Sequence, residues 1–165
     1  MTDISKKQQI VMDVRVHAVT MEDALEWAKE AVLEGKPRMI ATANAEMIMI
    51  AQKDPELKEI LNTCDLVVPD GAGVAGADLA EELLKIASEK EWPVYFLGGA
   101  PGIAQRAAAR FMELHVPFKL AGCHEGYFDS EEEKKIIKDI KKSGAKLLLA
   151  GLGVPKQEKW IRDHM

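Results

Sequence analysis

The sequence predicts an α/β fold: a mostly parallel, Rossmann-like sheet of about six strands with helices on both faces. Short apolar runs alternate with helical periodicities of 10 to 15 residues from end to end, as βαβ units require. Central runs such as Asp65-Leu66-Val67-Val68-Pro69 and Leu147-Leu148-Leu149-Ala150-Gly151 are continuously apolar, as expected where both sheet faces are covered. A length of 165 residues suits one domain spanning 1–165, and no repeat, low-complexity tract or linker divides it.

The elements follow in order. Ile10 to Val19 alternates with period two and reads as a half-exposed strand. Thr20, with Asp23 three residues on, caps a helix that buries Ala24, Leu25, Ala28, Ala31 and Val32 and stops at Gly35. Arg38 to Thr42 is a second strand, followed by Asn44 and a short helix from Met47 to Gln52. Asp54-Pro55 opens another helix, with proline at its first position. Asp65 to Pro69 is a third strand ending at Asp70-Gly71, and Ala77 to Glu89 is helical. Val94 to Leu97 leads through Gly98-Gly99-Ala100-Pro101-Gly102 into an Ala-rich helix from Ile103 to Leu114, with Pro101 in its first turn. Phe118 to Cys123 is a fifth strand, Ser130 and Glu133 form a capping box, Lys146 to Gly151 is a sixth strand, and Pro155 opens the last helix.

Composition narrows the function. An apolar fraction of 47% and a charged fraction of 30% are ordinary for a globular domain. A net charge of −5 argues against nucleic acid as the main partner. Cys64 and Cys123 fit no metal-ligand spacing and read as packing residues in a reducing compartment. Without a secretory signal or a membrane-spanning run, the expected location is cytoplasmic. The run Met47-Ile48-Met49-Ile50 leaves room for an apolar interface in a homo-oligomer.

In an open parallel sheet, ligands bind beyond the carboxyl ends of the strands. Four such ends carry polar or glycine-rich residues here: Thr42 and Asn44; Asp70-Gly71; Gly98-Gly99; and Gly151-Leu152-Gly153 with Gln157 close behind. A carboxylate closing a buried strand, Asp70, is placed to act as a base, although Asp-Gly is also ordinary turn chemistry. Thr42 and Asn44 suit helix capping as well as ligand contact. Gly98 and Gly99 permit close backbone approach to a diphosphate, or serve a tight turn. Neither a G-x-x-x-x-G-K-[ST] loop nor a G-x-G-x-x-G fingerprint is present, which lowers the ATPase and NAD-dependent oxidoreductase readings. Tyr127, in a loop past the fifth strand, suits stacking on a base or sugar, or packing on its own domain.

The segments Thr42-Ala43-Asn44-Ala45-Glu46, Val68-Pro69-Asp70-Gly71, Phe96-Leu97-Gly98-Gly99, Gly126-Tyr127-Phe128 and Gly151-Leu152-Gly153-Val154-Pro155-Lys156-Gln157-Glu158-Lys159-Trp160 resemble, in order, those of the TagA/WecG/CpsF bacterial glycosyltransferases. The resemblance implies transfer of N-acetylmannosamine (ManNAc) from a UDP donor to undecaprenyl-diphosphate-linked GlcNAc, giving the linkage unit of wall teichoic acid. WecG-like members use the corresponding uronic acid; a non-catalytic nucleotide-binding domain on the same architecture is the remaining alternative. It further implies inversion at the anomeric carbon with no cofactor and no metal, with Asp70 as base and Thr42 beside it. Asn44, Gly71, Gly98, Gly99, Tyr127 and Gln157 are the implied substrate contacts. Family members carry a further loop after the Val-Pro-Asp-Gly turn, with an arginine for the donor phosphates, and a basic C-terminal appendage that docks at the inner face of the cell membrane. Here Gly71-Ala72-Gly73 runs straight into Val74-Ala75-Gly76, and the sequence ends at Met165.

Overall fold

The computed structural model describes residues 3–70 and 76–165. Its elements, in chain order, are a short 3-10 turn (Ile4–Lys7), β1 (Gln8–Val11), β2 (Val14–His17), α1 (Met21–Glu34), β3 (Ile40–Ala43), α2 (Ala45–Ala51), α3 (Pro55–Thr63), β4 (Leu66–Pro69), α4 (Gly76–Glu89), β5 (Val94–Gly98), α5 (Ile103–Leu114), β6 (Leu120–His124), α6 (Ser130–Ser143), β7 (Leu147–Gly151) and α7 (Lys156–His164). The fold is mixed α/β and broadly Rossmann-like. It gathers into two compact units, one of residues up to Leu79 together with Val154–Met165, the other Ala80–Gly153. The expected sheet of about six strands is smaller: among the described residues, β3–β4 form one parallel pair and β6–β5–β7 a parallel three-stranded sheet, beside an antiparallel β1–β2 hairpin.

In the first unit, the stretch expected to be one strand from Ile10 to Val19 folds back on itself. Met12 and Asp13 both adopt positive φ, 47° and 61°, and Val11 pairs with Val14. Two successive positive-φ residues give the mirror-image turn that matches strand twist. Partners from elsewhere in the chain hold the turn. Gln52 Nε2 donates to Met12 O at 2.8 Å, and Asn62 Nδ2 donates to Asp13 O at 2.9 Å. Val14 and Val16 then face a core with Ala41, Ala43, Met47, Ile48, Leu57, Leu61 and Val67. Met47 and Ile48 therefore point inward, and of their run Met49 is the exposed member.

The caps read from the sequence are present at α1 and α3. Thr20 and Asp23 close a reciprocal capping box, and Gly35 ends α1 in the left-handed region. Asp54 caps α3 at Leu57 N–H, with Pro55 opening the helix. At α6 the capping pair is Asp129 with Glu132, one residue earlier than the Ser130–Glu133 reading. Both pairs have the required spacing, and Asp is at least as good an N-cap as Ser. Pro101 lies outside α5, whose N-cap is Gly102 at φ 80°.

In the second unit, β5 is fully buried between its two neighbours. Val94 and Phe96 pack on one side against Leu84, Ala87, Ala104, Ala108 and Phe118. Tyr95 points to the other side, where its hydroxyl donates to Asp139 of α6 at 2.8 Å. Helices thus cover both faces of this strand, which explains its continuous apolar character.

His17 ties β2 to β4 in the first unit. Val67 N–H donates to its Nδ1 at 3.0 Å, and the ring is buried. Nδ1 also stands 3.2 Å from Val67 O, so the ring nitrogen faces both the N–H and the carbonyl of that one residue. Burial, the main cause, and the nearby Arg15 charge lower the His17 pKa from 6.5, against an opposing contribution from the Val67 backbone. A histidine that resists protonation when folded but takes a proton when unfolded gives stability that is present above the unfolded pKa and lost as pH falls. The melting temperature should therefore drop between pH 7 and pH 5, before the carboxylates begin to titrate. In His17→Gln that drop should be markedly smaller; equal slopes in thermal melts of the two proteins would remove His17 as its source.

Candidate active site

Asp70 follows the last residue of β4 and is half-buried. Two hydrogen bonds place it. Its backbone N–H donates to Ala43 O at 2.9 Å, extending the β3–β4 ladder by one step. Its Oδ1 accepts the N–H of Gly76, the first residue of α4, at 2.9 Å. The carboxylate thus sits at a helix N-terminus, where unpaired N–H groups and the helix dipole stabilise negative charge by about 0.3–1 kcal/mol at exposed sites. Its Oδ2 makes no hydrogen bond among the described residues. An anchored carboxylate with one oxygen left to accept is what proton removal from a hydroxyl requires.

Thr42 belongs to the same strand-end cluster. It lies on β3 in register with Val68, while Ala43 is in register with Pro69. The Thr42 side chain approaches Gly76 so closely that a Cβ there would lie 3.1 Å from both its Cγ2 and its Oγ1. Glycine at position 76 lets the first turn of α4 come down onto Thr42 while donating to Asp70. Asn44 is the N-cap of α2, its Oδ1 accepting from Met47 N–H at 2.8 Å. That bond occupies one face of its carboxamide, and the residue is exposed. The capping reading is thus realised without burying the side chain. Gly71 lies outside the described residues.

In the second unit the ends of β5 and β7 meet at glycines. Gly98 has φ 144°, and a Cβ on it would overlap the carbonyl of Gly151, its partner in register. Gly99 donates its N–H to Gly151 O at 3.2 Å, and its own carbonyl accepts from Gly126 N–H at 2.8 Å. The tight junction therefore takes up the Gly99 amide that the sequence suggested for a diphosphate. Tyr127 is 71% exposed. His124, at the end of β6, helps line a cleft of about 440 Å³ with Tyr95, Lys135 and Asp139. Tyr95 was not singled out from sequence because its partner lies 44 residues away.

Gln157 lies in the first turn of α7, in the first unit. That helix is tied to α3 by ion pairs. Lys159 Nζ stands 2.8 Å from both Asp54 Oδ2 and Glu56 Oε2, and Arg162 Nη2 stands 2.8 Å from Glu56 Oε1. Singly such exposed pairs contribute little, but here two cations share one carboxylate. Gln157 Nε2 donates to Glu158 Oε1 at 2.8 Å.

Cys64 is buried, and desolvation pushes its thiol up to about 12, so it is a packing residue. Among the described residues no three His, Cys, Asp or Glu side chains gather at metal-binding distance. No helix among them is long and apolar enough to cross a membrane.

The family model for the WecG/TagA/CpsF glycosyl transferases matches residues 9–165. The chain belongs to that family. Membership of the WecG/TagA/CpsF glycosyltransferases makes it a glycosyltransferase, with a nucleotide-sugar donor and an acceptor as its partners. Within that family setting, the Asp70–Gly76–Thr42 cluster is the site with the most chemical definition in the first unit.

Replacing Gly76 tests how tight this cluster is. Alanine normally gains up to about 1 kcal/mol over glycine within a helix. Here the contact with Thr42 should reverse the sign, so Gly76→Ala lowers the melting temperature. Removing Cγ2 and Oγ1 in Thr42→Ala relieves the contact, and the double variant should recover by about 0.5–1 kcal/mol relative to additivity. Additive losses in denaturant titrations would contradict the close approach.

Proposed function

We propose that this chain transfers N-acetylmannosamine from UDP-ManNAc to undecaprenyl-diphosphate-linked GlcNAc, with inversion and with Asp70 as the general base. The observation that supports this reading best is the Asp70 carboxylate, anchored through Oδ1 on the start of α4 beside Thr42. In the reaction, Asp70 Oδ2 takes the proton of the acceptor 4-hydroxyl as that oxygen bonds to the anomeric carbon. The bond from the anomeric carbon to the β-phosphate oxygen breaks on the opposite face, and UDP leaves with its electron pair. Thr42 completes the catalytic pair. Asn44, Gly71, Gly98, Gly99, Tyr127 and Gln157 are the proposed substrate contacts; the negative charge growing on the diphosphate calls for donors among them other than the Gly99 N–H, which is bonded to Gly151 O.

On this reading residues 1–165 work as one glycosyltransferase domain. The acceptor is lipid-linked, so the enzyme acts in the cytoplasm at the inner face of the cell membrane, and its product is the linkage unit of wall teichoic acid. The apolar run at Met47-Ile48-Met49-Ile50 offers only exposed Met49 to a second copy, so support for a homo-oligomer from that segment is slight.

A screen of UDP-sugars with a lipid-linked GlcNAc analogue tests the assignment. UDP-ManNAc should be the preferred donor, and UDP should raise the melting temperature as any ligand selective for the folded state does. Preference for UDP-ManNAc-uronic acid would redirect the reading to the WecG type, and UDP binding without any transfer would indicate a non-catalytic domain. Asp70→Asn should lower turnover by about 10²–10⁴-fold, the usual contribution of a positioned base, while leaving UDP binding intact. Near-normal turnover in that variant would remove Asp70 from the role.

A further inference from the structure

Glu158 is the only fully buried acidic side chain among the described residues. Its Oε1 accepts from Gln157 Nε2 at 2.8 Å. Its Oε2 is buried and has no hydrogen-bond partner among the described residues. Burial pushes this carboxyl upward from its usual range, against the pull of its own backbone N–H and of the Gln157 amide.

Such a group is poor material for stability. A buried carboxyl with an unpaired oxygen costs desolvation energy that one neutral donor does not fully offset. An apolar side chain of similar volume is commonly neutral or stabilising in its place. What the carboxyl does supply is orientation. The last torsion of a glutamine is broad, so a free carboxamide presents its oxygen and nitrogen in many directions. An oxygen that accepts can face only the N–H side of that amide, which settles which end of Gln157 points at Glu158. The Gln157 carbonyl and its second N–H are thereby held in one arrangement.

We propose that Glu158 is a positioning residue, holding the Gln157 carboxamide so that its carbonyl and remaining N–H are set to bind the nucleotide-sugar donor. This rests on the reading of Gln157 as a substrate contact. The relation is that of a second group fixing the rotamer of the one that touches ligand, as outer-shell partners do for metal-binding histidines.

Four variants of the full chain test it, assayed for transfer from UDP-ManNAc to a lipid-linked GlcNAc analogue and by thermal melts: Gln157→Ala, Glu158→Met, Glu158→Gln and the double variant Gln157→Ala/Glu158→Met. Methionine keeps the length of the side chain and removes the acceptor. Glu158→Met should lower kcat/KM by roughly tenfold, the worth of one hydrogen bond to a charged group, with an unchanged or higher melting temperature. Glu158→Gln keeps an acceptor oxygen and should recover most of that loss. The double variant should be no worse than Gln157→Ala alone. Losses that multiply, full activity in Glu158→Met, or a fall in its melting temperature that tracks the loss of activity would each overturn the proposal while leaving Gln157 as a contact. A Glu158→Met protein that does not fold would overturn it too, because the acid would then be structural. Normal turnover in Gln157→Ala is a different result: it removes Gln157 as a substrate contact and the positioning role with it.

Discussion

The hydrogen bond from Gly76 N–H to Asp70 Oδ1 joins the end of a buried strand to the beginning of a helix. Much of the site chemistry in the first unit follows from it. It places the carboxylate at the start of α4 and leaves the second oxygen to accept. It also requires the helix start to come close to β3, and that approach is possible because residue 76 has no side chain to strike Thr42. Asp70, Gly76 and Thr42 are therefore one arrangement rather than three independent positions. A Cβ at position 76 would press on Thr42, and Asp70 supplies the acceptor for the first N–H of α4.

Register supplies the rigidity behind this arrangement. Ala43 pairs with Pro69, and the Asp70 N–H continues the ladder onto Ala43 O. The backbone of Asp70 is therefore fixed by the parallel pair before its side chain engages α4. Core residues Ala41, Ala43 and Val67 lie beneath, fully enclosed with Val14 and Val16 of the hairpin. His17 seals the hairpin to β4 through the Val67 N–H, one residue from Val68, the register partner of Thr42. A side chain on a strand end supported this way is held more precisely than one on a free loop.

How legible each part was in the sequence depended on how local its cause is. Thr20 with Asp23, Asp54 with Pro55, and Gly35 act within a turn of their own helices, so their roles follow from spacing alone. The Met12–Asp13 turn could not be read that way. Both residues take positive φ without the Asn-Gly or Asp-Gly pair that normally signals it, and Gln52 and Asn62, about forty to fifty residues away, hold it in place. The apolar alternation of Ile10 to Val19 continues through that turn and so suggested one strand. Asp70 was visible as a polar residue ending an apolar strand, but its anchor, Gly76, was not, because the bond crosses six positions with no periodic pattern to mark it. The glycines at 98 and 99 were visible as a turn with two explanations. The structure accounts for Gly98 by steric exclusion against Gly151 and commits the Gly99 amide to the same carbonyl.

Lys156-Gln157-Glu158-Lys159 shows how one polar segment divides its labour. From sequence Gln157 reads as the ligand-facing member, and the others stand only as part of the segment that resembles the family. In the folded chain Lys159 turns to Asp54 and Glu56, and so helps dock α7 on α3. Asp54 also caps α3, so the cation stabilises a carboxylate that is already organising the neighbouring helix. Two residues of α7 are buried, Trp160 and Glu158, and of these Glu158 is the acid. Burying its Oε2 without a hydrogen-bond partner among the described residues costs desolvation energy. The bond that the acid does make, from Gln157 Nε2 to its Oε1, turns the nitrogen end of that carboxamide toward it.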